Sequence, residues 1–141
     1  MNENNGIIAP FFTGLIAGVS VLAIELTFFV GNILMDALKP LATSPQSEQI
    51  LTTYSTTITL FIISGVLINI IIGYYAPATF SLGYITGDFL MIASLATALM
   101  QIAPSVLTGM VIAFVAILLG LFLKIILKNK ENRYRQYDYW G

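Results

Sequence analysis

Two acidic residues stand where acids are rarest in this chain. Glu25 lies inside GLIAGVSVLAIELTFFVGNILMD (14–36), an apolar stretch whose only other charge is the terminal Asp36. Asp88 is the first charge after Glu48. A carboxyl group kept from water has a narrow chemistry. It takes a proton, pairs with a cation, or bonds a neighbouring helix as a neutral acid. On a helix, Gly14, Gly18, Glu25, Asn32 and Asp36 follow at steps of 4, 7, 7 and 4 and share one side. Glu25, Asn32 and Asp88 therefore form the candidate proton, cation or partner-pairing site. Asp88, just after Thr86 and Gly87, is expected to lie shallower, as a cap or facing headgroups. Asp36 and Lys39, three apart at a helix end, are expected to form an interfacial pair.

The residue types that are missing bound the chemistry further. There is no Cys and no His. That removes disulfides, zinc sites with nitrogen or sulfur ligands, iron–sulfur clusters, His-ligated haem, and Ser-His or Cys-His nucleophiles. No phosphate-binding loop is present. The expectation is a protein that is not an enzyme, with no cofactor and no metal. No Lys or Arg falls at the depth of Glu25, so its counter-charge is a proton, a cation or a group on another subunit.

These residues need elements to hold them. The chain has 141 residues, 57% hydrophobic and 9% charged. A soluble domain carries about 25% charged residues, and a chain this short cannot hide so much apolar surface from water. The predicted fold is an all-α integral membrane protein, a bundle of four transmembrane helices with short connections. The spans are expected at about 10–38, 54–75, 81–102 and 105–127. Residues 1–6 read as a polar tail, 7–127 as the transmembrane domain and 128–141 as a basic, aromatic tail. Pro10 suits a first turn. Pro40 and Pro45 make 39–53 a loop, and Pro77 and Pro104 mark turns. MNENN lacks the basic start of a cleaved signal peptide, so the first span is expected to persist. Membrane strands are excluded because the apolar runs do not alternate. An acid at mid-bilayer costs about 2.5–3.5 kcal/mol on insertion scales. A dozen large apolar neighbours at about 0.3–0.6 kcal/mol each offset that.

Each predicted helix carries small residues at helical spacing. The stripes hold Gly14 and Gly18, then Gly65, Asn69 and Gly73, then Gly83 and Gly87, then Gly109 and Gly120. The third stripe continues through Ser94, Ala98 and Gln101. In lipid, helices associate by close backbone approach and by hydrogen bonds worth about 0.6–2 kcal/mol. The stripes serve either internal packing or other integral-membrane subunits, and four of them exceed what one small bundle needs. Tyr74, Tyr75, Phe80 and Tyr84 cluster at a helix junction, as in a headgroup belt.

Five of the six basic residues follow residue 123. Lys124, Lys128, Lys130, Arg133 and Arg135, with Tyr139 and Trp140, form a candidate anchoring or docking tail. Basic flanks place this tail, and with four spans also the N-terminus, in the cytoplasm of a plasma-membrane protein. Lys124 is close enough to the helix end to snorkel. The tail contains Glu131 and Asp138, so nucleic acid is not an expected partner; membrane lipids are, and a homo-oligomer is compatible with the pattern.

Three functions follow as expectations. The first is a non-catalytic subunit of a multi-subunit membrane complex, respiratory or otherwise energy-converting. The second is a small oligomeric proton-coupled transporter or channel using Glu25. The third is a structural membrane or envelope protein that self-assembles. For the second, four short helices with one Glu in the first resemble in outline the small multidrug resistance transporters. That resemblance implies a proton-coupled role for Glu25. The flanking AIELTFF and the greater length depart from that family's pattern.

Overall fold

The computed structural model describes the backbone of residues 5–140 and the side chains of residues 6–130. It is all-helical over those residues: α1 (Asn5–Leu38), a short 3-10 turn (Lys39–Leu41), α2 (Pro45–Tyr75), α3 (Ala78–Ile102) and α4 (Pro104–Trp140). All four helices are long and apolar enough to cross a membrane. Large apolar side chains cover the outer surface, among them Ile16, Ile24, Phe61, Phe89 and Phe122. That surface suits lipid.

The expected bounds differ from the observed ones in three places, each for a local reason. The 39–53 stretch is not a loop beyond Ser44. Ser44 caps α2: its Oγ accepts from the Ser47 N–H at 3.1 Å, and the Ser44 N–H donates to Ser47 Oγ at 3.1 Å. Pro45 takes the first helical position, where a missing N–H costs nothing. Pro45 therefore starts this helix instead of breaking it. Pro10, the expected start of the first helix, lies inside α1. It forgoes one hydrogen bond within the first two turns, close to a free end. Finally, α4 does not stop at Leu127. Hydrophobicity ends there, but no Gly or Pro follows before Gly141, and Lys, Glu, Arg and Gln sustain a helix. The side chains of Arg133, Arg135, Tyr139 and Trp140 lie outside the described residues, and Lys128 and Lys130 are exposed.

The helices alternate in direction. α1 and α3 run parallel, since Phe11 faces Gly83 and Leu15 faces Gly87. The start of α1, the α2–α3 turn and the later part of α4 thus share one end of the bundle. Lys124 fastens that end. Its Nζ donates to the Ala76 carbonyl at 2.7 Å. Ala76 ends α2, where a cation meets the negative end of the helix dipole.

The tightest packing joins alternate helices, α1 with α3 and α2 with α4. Glycines make it so tight. A Cβ on Gly14 would strike the Phe80 carbonyl, and one on Gly83 the Phe11 carbonyl. Gly18 and Gly87 meet the Tyr84 and Leu15 carbonyl oxygens, each 2.5 Å from where a Cβ would stand. Gly73 lies on the Ile117–Leu121 backbone and Gly120 on Ile70. Such nesting of glycine against carbonyl adds weak Cα–H···O bonds, about 0.5–1 kcal/mol each. Gly109 faces the Phe29 ring, and Gly65 faces the Glu25 carboxyl. All eight of these glycines are turned to another part of the same chain. Asp36 and Lys39 do pair, at 3.3 Å.

Candidate functional site

Glu25 projects from α1 into the seam between α1, α2 and α3 and is 6% exposed. Its Oε1 accepts a hydrogen bond from Asn69 Nδ2 on α2, at 2.7 Å. Asn69 Oδ1 in turn accepts from the Tyr84 hydroxyl on α3, at 2.5 Å. The resulting relay ties three helices through two buried bonds, with both donors oriented toward the acid. Asn69 is 1% exposed and Tyr84 fully buried.

The backbone makes room for the relay. Gly65 lies one helical turn before Asn69 on α2, and a Cβ there would come within 3.1 Å of Glu25 Oε1. Tyr84 reaches α2 because Gly18 lets the α3 backbone come close against α1 at that level. The glycine stripes and the polar site are thus one construction. The close approach sets the height at which the three polar side chains meet.

Asp88 joins this cluster, contrary to the sequence expectation of a shallow or headgroup-facing acid. It is 1% exposed. The reason is its position: it is one turn beyond Tyr84 and two beyond Ser81, on the α3 face that packs inward. Tyr84 is likewise a correction, being an interior residue and no part of an aromatic belt. Tyr75, by contrast, stays outside, edge-on to Tyr74 at 4.8 Å. Asn32, expected beside Glu25, is half-buried two turns further along α1 and shares no hydrogen bond with the cluster.

Three buried oxygens have no partner among the described residues: Glu25 Oε2, Asp88 Oδ1 and Ser81 Oγ. Buried polar atoms are nearly always satisfied, so these three single out Glu25 and the inward face of α3 as the candidate site. No Lys or Arg among the described residues bonds either acid. Ser81 carried no signal in the sequence on its own. Its spacing of three to Tyr84 and seven to Asp88 was the available clue, and it needed Asp88 to be recognised as interior first.

The surroundings differ on the two sides of the cluster. Toward the α3–α4 turn, Leu22, Val106, Met110 and Ala113 form a closed apolar core, with Leu26, Phe29 and Met91 against it. Toward the outside, Glu25 forms part of the wall of a groove of about 410 Å³ between α1 and α2. Its other walls are apolar but for Ser64, and include Val21, Ile24, Ile68 and the stacked pair Phe28–Phe61, whose rings are 5.0 Å apart.

Removing the middle of the relay tests its energetics. Asn69→Leu, similar in size, strips Glu25 Oε1 and the Tyr84 hydroxyl of their partners. Leaving buried groups unsatisfied costs about 1–3 kcal/mol. The expected result is a clear fall in the thermal midpoint in detergent, with Asn69→Asp falling less. An Asn69→Leu protein as stable as the native one would show that the relay carries no energy.

Comparison with family models, with curated proteins and with solved structures finds no match to this chain. The outline shared with the small multidrug resistance transporters accordingly rests on the helix count and Glu25 alone.

Proposed function

We propose that this chain is a multi-pass integral membrane protein that carries protons or a cation through its Glu25–Asp88 centre, as a small transporter or channel. One observation carries the reading: two acids are buried in the interior of an apolar bundle, each with an oxygen that no group of the described residues satisfies. A purely structural acid would have both oxygens bonded, because an unsatisfied buried carboxyl destabilises the fold for no return. The groove between α1 and α2 supports the reading by connecting Glu25 to the outer face of the bundle.

The direct test uses purified protein in liposomes with a pH-sensitive dye inside. Under an imposed membrane potential or a gradient of an organic or alkali cation, the vesicles are expected to acidify or alkalinise faster than protein-free ones. Equal rates under all these gradients would exclude the proposal.

A second reading is a non-catalytic subunit of a larger, energy-converting membrane complex. Its support is the far half of the α3 stripe. Ser94, Ala98 and Gln101 are exposed, so a small and polar face at span depth is covered by nothing among the described residues. In such a complex a partner's cation would satisfy Glu25 and Asp88. Purification in mild detergent separates the two readings, because a subunit brings its partners with it. The plasma membrane and cytoplasmic termini belong to the same proposal, on the strength of the basic tail.

A further inference from the structure

We infer that the Glu25–Asp88 centre takes a proton in preference to a metal ion, and exchanges it along Ser81 and Tyr84 with the end of the bundle where α3 begins. This rests on the transport reading above and adds the ligand and the side of entry.

The choice of ligand follows from counting acceptors. A hard divalent ion asks for about six or more oxygens at once. The cluster has four that accept no hydrogen bond from the described residues, Glu25 Oε2, both carboxyl oxygens of Asp88 and Ser81 Oγ. Ser81 and Asp88 are seven residues apart on α3, about 10 Å along the axis, too far to close on one ion. Asn69 Oδ1 already accepts the Tyr84 hydroxyl, and the surrounding carbonyls belong to helices. A proton needs only one oxygen to hold it and one to accept its hydrogen bond.

The side of entry follows from what fills the bundle. Ser81, Tyr84 and Asp88 share one face of α3 and are buried at 0%, 0% and 1% exposure. Ser81 is in the first turns of α3, so this polar face runs from the helix start down to Glu25. Below the cluster the core is apolar, with Leu22 and Met110 fully enclosed. Among the described residues, Tyr84 is the one other titratable group that joins the pair, through Asn69. On α1 the next acid is Asp36, held by Lys39; α2 presents Asn69; α3 presents Tyr84; and Lys124 of α4 is bound to Ala76 at the end of α2.

The test uses a hydrophobic carbodiimide, which modifies carboxyl groups only in their protonated form. Native protein is placed in vesicles in a known orientation, and labelling of Glu25 and Asp88 is read by peptide mass. Labelling is expected to follow the pH on the side that holds the α3 start and Lys124, and to ignore the pH on the other side. Saturating sodium, potassium, magnesium or calcium ions are expected not to protect. Ser81→Ala is expected to slow the response to a pH step several-fold, whereas Ser94→Ala, on the exposed face of the same helix, leaves it unchanged. Labelling that tracks the opposite side, or that any of these ions suppresses, overturns the inference. Labelling as expected in vesicles that show no flux would leave the inference standing and remove the transport reading.

Discussion

Gly83→Leu is expected to push α1 away from α3 and to lower the stability of the bundle by about 3 kcal/mol or more, at the upper end of overpacking effects. A Cβ at Gly83 meets the Phe11 carbonyl oxygen, and Leu15 N lies 3.0 Å away. Both are backbone atoms, so no rotamer change relieves the clash; a helix has to move. Tyr84, the next residue, moves with it, and the relay to Asn69 and Glu25 opens. Gly14→Leu is expected to act alike, through the Phe80 carbonyl. The double variant should fall short of the sum, since both break the same contact. Gly6→Leu is the control, because nothing lies within 4 Å of a Cβ there. Thermal or SDS-induced unfolding in detergent reads the difference. Equal midpoints for Gly83→Leu and Gly6→Leu would mean that α1 and α3 do not approach this closely.

The second large effect is on activity. On the proposed function, Glu25→Gln removes the exchangeable proton and keeps nearly the same shape. The amide still offers an oxygen to Asn69 Nδ2, so the fold is expected to survive with its thermal midpoint little changed. Flux in vesicles is expected to drop on the order of 100-fold, the scale of losing one positioned proton-transfer group. Glu25→Ala separates shape from chemistry. It loses flux equally, but also leaves Asn69 Nδ2 buried and unbonded, at about 1–3 kcal/mol of stability. Retained proton-coupled flux in the Gln variant would end the role given to Glu25. A stable, inactive Gln variant is the outcome that distinguishes a working acid from a merely structural one.

Much of the architecture is legible along the chain because it is a property of segments. Four apolar runs of helical length, with Gly and polar residues at steps of three, four and seven, specify four rods and the kind of face each turns inward. Glu25 stands out by the same logic, as an acid far from either end of its run. Element ends are less legible, for local reasons. Pro45 reads as a breaker along the chain but begins a helix that Ser44 and Ser47 cap, and α4 outruns its apolar segment because helix propensity continues where hydrophobicity stops.

What the tertiary structure alone decided is which faces meet. Glycine stripes allow close approach to any helix, so they do not say that α1 chooses α3 and α2 chooses α4, nor that the chain itself satisfies all eight glycines. That pairing sets the height at which Asn69 and Tyr84 reach Glu25, and it buries Asp88. Asp88, directly after Gly87, reads as shallow by its distance from the helix start. It becomes interior once the glycine beside it lets the neighbouring helix close over it.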